Sequence, residues 1–77
     1  MAETAYERIQ RQLSYTQARL LVRIADNRLV VGGYYGARRN TYRALAGFGL
    51  VVPGDIGDIA ELTRRGRGLV KRMGAAS

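Results

Sequence analysis

Apolar positions along the chain fall into four stretches of helical spacing, separated by short β-branched runs. Over residues 3–13, Tyr6, Ile9 and Leu13 recur at i, i+3 and i+7, while Glu3, Glu7, Arg8 and Arg11 lie off that stripe. This predicts an amphipathic helix, with Glu7 and Arg11 at the favourable i, i+4 spacing. Ser14-Tyr15-Thr16-Gln17 then matches a capping box, in which the Ser hydroxyl accepts the N3 amide and Gln reaches back. A second helix is predicted from Tyr15 to about Ala25, with Ala18, Leu21, Val22 and Ala25 as its main apolar stripe and Leu20 and Ile24 widening it. Only Thr16, Arg19 and Arg23 form a clearly polar strip, so this helix is expected at the centre of the domain.

Asp26-Asn27 is a turn signal, and Arg28-Leu29-Val30-Val31, bounded by two glycines, reads as a short strand. Tyr34-Tyr35-Gly36 follows as irregular structure. In the third helix Thr41, Leu45 and Phe48 lie at i, i+4 and i+7, and Gly49 fits the left-handed C′ position that lets Leu50 fold back on Leu45. Gly47 in the last turn costs about 1 kcal/mol relative to Ala. The other face carries Arg39, Asn40 and Arg43, with Tyr42 assigned to it as well. Leu50-Val51-Val52, a Pro53-Gly54 turn and Ile59-Ala60-Glu61-Leu62 predict a β-hairpin. Thr63 is a good N-cap for a last helix over residues 64–73, whose buried face is Gly66, Leu69, Val70 and Met73.

With 77 residues there is material for one domain, and the predicted class is α+β, mainly α. Charge changes the picture more than size does. Thirteen basic residues against six acidic ones give +7, and Lys71 is the only lysine. An anionic partner is the simplest reason for that imbalance, and Arg suits forked contacts to phosphate and guanine. The chain has no cysteine and no histidine, which excludes disulfides, thiolate metal sites and imidazole chemistry. The six carboxylates, Glu3, Glu7, Asp26, Asp55, Asp58 and Glu61, show no motif spacing. The expectation is therefore a protein that is not an enzyme, with no catalytic residues, no cofactor and no metal. No apolar run approaches the length of a membrane span and no signal-peptide pattern opens the chain, so no membrane partner and a cytoplasmic, nucleoid-associated location are expected.

Three segments together carry a resemblance: Leu13-Ser14-Tyr15-Thr16-Gln17-Ala18-Arg19-Leu20-Leu21, Asn40-Thr41-Tyr42-Arg43-Ala44-Leu45-Ala46-Gly47-Phe48-Gly49-Leu50-Val51, and Leu62-Thr63-Arg64-Arg65-Gly66-Arg67. In this order and separation they resemble the winged helix-turn-helix domains of MarR- and PadR-type bacterial or phage regulators. The resemblance covers residues 13–73 and implies a compact winged helix: a helical core, a small β-hairpin wing and a C-terminal helix. It divides the chain into an N-terminal helix (1–13), a winged-helix domain (14–74) and a frayed tail (75–77). It implies transcription regulation by sequence-specific binding of double-stranded DNA, with the helix around residues 38–48 in the major groove. Mapped onto this sequence, Arg39, Asn40 and Arg43 are the base-contact candidates, since Arg pairs with guanine and Asn with adenine. Arg38, Thr41, Tyr42, Tyr34, Tyr35, Arg64 and Arg65 are the DNA-backbone candidates.

Regulators of this type dimerise and read two half-sites, so the resemblance makes Tyr6, Ile9 and Leu13 candidates for a homodimer interface. Their other use is to cover the domain's own core. Two departures stand out. No helix is legible ahead of the reading helix, where residues 30–36 are β-branched and glycine-rich. The wing tip, residues 53–58, has two acidic residues and no basic one. These departures favour one alternative, a protein-interaction module that has lost DNA binding and takes a protein partner. A further alternative is an excisionase-like architectural DNA-binding cofactor, a role open to compact winged helices without an effector domain.

Overall fold

The computed structural model describes residues 4–75, so Glu3 and the end of the expected tail lie outside the described residues. Four helices follow in order: α1 (Ala5–Gln12), α2 (Tyr15–Asp26), α3 (Arg39–Gly47) and α4 (Arg64–Ala75). Local hydrogen bonding fixes their ends. Thr4 caps α1 by accepting from the Glu7 amide at 3.1 Å. Ser14 caps α2, accepting from the Gln17 amide at 3.1 Å while Gln17 Oε1 accepts from the Ser14 amide at 3.0 Å. Leu13 and Ser14 are both extended, which separates α1 from α2. At the end of α3, Gly49 takes φ +75°. Its N–H reaches the Ala46 carbonyl at 2.9 Å and the Leu50 N–H reaches Leu45 at 3.1 Å, a complete Schellman ending. The Thr63 hydroxyl accepts from the Gly66 amide at 3.1 Å and donates to the Gly49 carbonyl at 2.6 Å, so one residue caps α4 and ties it to the exit of α3.

The core gathers around α2, which packs on α3 and α4. It contains Leu20, Leu21 and Ile24 of α2, Tyr42 and Leu45 of α3, Leu50 and Val51 after it, and Leu69 of α4, with Leu29, Val31, Ala37 and Ala60 from the connecting segments. The stripe on α2 is displaced from the one periodicity favoured. Val22 and Ala25 are exposed, and the widening pair Leu20 and Ile24 is buried instead. An apolar circumference leaves the choice of face to the neighbouring helices. α4 lies close on the chain below it: a Cβ on Gly66 would stand 1.9 Å from the Leu50 carbonyl oxygen. Only glycine admits that approach.

Little strand forms. The expected strand at residues 28–31 and the expected hairpin wing both reduce to single bridges: Val30 with Ile59 and Val51 with Leu62 antiparallel, and Val31 with Ala37 parallel. The returning segment explains why. Its first part bonds to residues 29–31, with Ala60 N–H to Leu29 at 2.8 Å and Val31 N–H to Asp58 at 2.8 Å. Its second part bonds to residues 50–52, with Val52 N–H to Glu61 at 2.8 Å and Thr63 N–H to Leu50 at 3.1 Å. Each pairing is too short to continue as a ladder.

Candidate nucleic-acid interface

α3 presents two chemically distinct sides. Tyr42 and Leu45 point into the core, while Arg39, Asn40 and Arg43 are exposed together on the opposite face. Arg38 is exposed at the N-cap position, and Thr41 beside it is half-buried. The three base-contact candidates are thus brought onto one accessible surface.

Tyr42 does not belong with them. It is 1% exposed, and its hydroxyl donates to the Val52 carbonyl and accepts from the Glu61 amide at 3.3 Å. It clamps the two segments that flank residues 53–60 and is unavailable for a phosphate. This corrects its assignment as a backbone contact. The i, i+3 spacing of Tyr42 with Leu45 is the signal that placed it inside.

The acidic loop reaches α3. Asp55 Oδ1 accepts from Arg39 Nε at 3.0 Å, with the two side chains 70% and 47% exposed. The same carboxylate oxygen accepts from the Ile56 amide at 2.8 Å, and Asp58 Oδ2 accepts from the Asp55 amide at 2.9 Å, so the loop is ordered by its own acids. The Ile56 N–H first, then the Arg39 guanidinium, hold the Asp55 carboxyl below the usual carboxylate range, and Arg43 adds to the effect at longer range. A negative charge therefore sits against the arginine face of α3.

Among the described residues no helix stands between α2 and α3. Its place is taken by a tight turn at residues 33–36, closed by the Gly36 N–H to the Gly33 carbonyl at 3.0 Å. A Cβ on Gly36 would stand 2.0 Å from the Val30 carbonyl oxygen, so the turn is pressed onto the preceding segment. Tyr34 and Tyr35 form its tip, 93% and 83% exposed, with their rings edge to face at 4.7 Å. Arg23 Nη2 donates to the Tyr35 carbonyl at 3.0 Å and anchors the turn to α2. Arg23 is thus engaged with backbone, and among the described residues it pairs with no carboxylate.

The remaining candidates are more dispersed. Arg64 is exposed in the first turn of α4, away from α3 in sequence, and Arg65 Nη1 donates to the Phe48 carbonyl at 3.5 Å at the end of α3. Tyr6, Ile9 and Leu13 pack partly buried against the chain's own core, with Tyr6 over Gly68 of α4 and Glu7 paired to Arg72 at 3.4 Å. Only their residual surface is left for a second subunit.

One grouping escaped the sequence reading. A cavity of about 300 Å³ between α2 and the start of α3 is lined by Arg19, Arg23 and Arg38 together with Tyr15, Thr16 and Thr41. Arg19 and Arg23 lay on the polar strip of α2, but their convergence with Arg38 depends on how α3 docks. Compared with protein-family profiles, with curated proteins and with solved structures, the chain matches none. The described residues include no helix long and apolar enough to cross a membrane.

Proposed function

We propose that this chain is a sequence-specific double-stranded DNA-binding regulator that enters the major groove with the exposed face of α3. The observation that carries the reading is the adjacency of Arg39, Asn40 and Arg43 on one side of a helix whose other side is anchored by Tyr42 and Leu45. A helix fits the major groove, and these residue types pair with guanine and adenine edges. The excess of seven positive charges supports an electrostatic contribution to DNA affinity. The winged-helix reading is supported by the order of pairing, in which residues 58–63 bond on one side to 29–31 and on the other to 50–52. On this reading Arg38 and the exposed tyrosines at residues 34 and 35 meet the DNA backbone, and two copies read two half-sites.

Selection of preferred duplexes from a random pool, followed by binding of Arg39→Ala and Arg43→Ala variants, tests the assignment. Each substitution is expected to cost about 1–3 kcal/mol on the preferred site and less on random duplex. Equal losses on both would reduce α3 to a non-specific contact.

A second reading is favoured by the exposed apolar residues Val30, Tyr34, Tyr35, Ile56 and Ile59 and by the carboxylate already lying on Arg39. These features suit a protein-interaction module. That reading expects no duplex binding at physiological salt and recovery of a defined protein partner that an Ile56→Asp variant no longer holds.

A further inference from the structure

The cleft between α2 and α3 is lined by three arginines, Arg19, Arg23 and Arg38, and by no carboxylate. Among the described residues none of the three forms an ion pair, whereas Arg39 and Arg72 each have an acidic partner. Arg19 and Arg23 stand one helical turn apart, a spacing at which like charges destabilise a helix. The docking of α3 on α2 brings Arg38, at the N-cap of α3, to the same cleft. An anion seated in the cleft would offset the positive charge that these three residues bring to it.

The shape and chemistry narrow the choice. About 300 Å³ is at the small end of the range for ligand sites. Guanidinium forks match the oxygens of a phosphate in pairs, and the hydroxyls of Thr16 and Thr41 can donate to the oxygens that remain. Arg23 is held in position by its bond to the Tyr35 carbonyl, so part of the site is oriented before any ligand arrives. The rim carries Tyr15, 78% exposed, whose ring offers a flat apolar surface beside the charges.

We propose that this cleft is a seat for one phosphate group, supplied either by the backbone of duplex DNA or by a free phosphorylated small ligand. It does not depend on base reading by Arg39, Asn40 and Arg43, which lie outside it. It assigns a binding role to Arg19, whose side chain makes no hydrogen bond to the described residues.

Inorganic pyrophosphate titrated calorimetrically into the full chain is the first test. Saturable binding to one site per chain is expected, weakened about tenfold by Arg19→Gln, partly restored in Arg19→Lys, and retained in Arg39→Ala. Circular dichroism melts of each variant without ligand check that the fold persists. The second arm measures duplex affinity against salt. A slope reduced by about 0.9 in Arg19→Gln identifies a DNA phosphate as the occupant. An unchanged slope with pyrophosphate binding lost identifies a free ligand. If Arg19→Gln matches the wild type in both arms, or pyrophosphate acts no differently from chloride of equal ionic strength and the slope is unchanged, the proposal is overturned. Should the chain bind no duplex at all, the pyrophosphate arm decides alone.

Discussion

Replacing Asp55 with Asn asks whether the arginine face of α3 is restrained by the loop beside it. Asp55 touches Arg39 at 3.0 Å and the Ile56 amide at 2.8 Å through the same oxygen. Asparagine has the same shape, and its carbonyl can still accept from Ile56, so the loop should keep its conformation. What disappears is one negative charge next to Arg39 and within the field of Arg43. The pair is largely open to solvent, so its loss should leave the melting temperature close to that of the wild type. On the proposed function the effect belongs on DNA, where Arg39 would have to leave Asp55 to reach a phosphate or base and the backbone would repel Asp55.

Freeing Arg39 is equivalent to about one further neutralised phosphate, which steepens the salt slope by roughly 0.9. Between 50 and 200 mM salt the advantage of the variant should then shrink by about 3.5-fold, which is four raised to that slope. Fluorescence anisotropy with a labelled duplex at several salt concentrations reads both quantities. The variant should bind random duplex more tightly at low salt, with a smaller gain on a preferred site. The reasoning fails if the variant gains nothing at 50 mM, or if its gain is the same at every salt concentration.

Four further outcomes are expected. Gly66→Ala forces a Cβ to within 1.9 Å of the Leu50 carbonyl, so α4 must shift and urea unfolding should show a loss of about 1–3 kcal/mol or more. Gly47→Ala meets nothing within 4 Å, and the same assay should show a gain of no more than about 0.5 kcal/mol, because Gly47 is the last residue of α3 and not in its interior. Tyr42→Phe removes the hydroxyl that serves both Val52 and Glu61, and should cost about 1–3 kcal/mol while leaving any DNA sequence preference intact. Because folding holds the Asp55 carboxyl below its ordinary range, its contribution to stability is present above that range and lost as pH falls through the lowered value. The small margin in melting temperature of the wild type over Asp55→Asn at neutral pH should therefore shrink to nothing in strong acid.

The features legible in the sequence were those whose partners lie within a few residues. The Ser14–Gln17 box, the Gly49 ending and the Thr63 cap each depend on bonds closed over one turn, and each forms where its residues stand. The buried stripe of α2 was harder, because Ala18, Leu20, Leu21, Val22, Ile24 and Ala25 offer several faces and only the docking of α3 and α4 selects among them. Short apolar runs also overstated the strands. Residues 58–63 divide their hydrogen bonds between two neighbours, an arrangement that alternation within one run does not encode. The common face of Arg39, Asn40 and Arg43 was readable from helical spacing, whereas their role as base-contact candidates came from the resemblance. The Arg39–Asp55 pair and the cleft of Arg19, Arg23 and Arg38 join residues distant in sequence, so tertiary packing creates them.

The central claim is that α3 binds duplex DNA through its exposed basic face. Titrating the wild-type chain with a labelled duplex while salt is raised tests it most directly, run beside an Arg39→Ala/Arg43→Ala double variant. Binding should be tight at 50 mM, fall steeply and linearly on a log–log scale toward 200 mM, and be markedly weaker with a shallower slope in the double variant. Absence of binding at 50 mM, or a double variant that matches the wild type at every salt concentration, would contradict the claim.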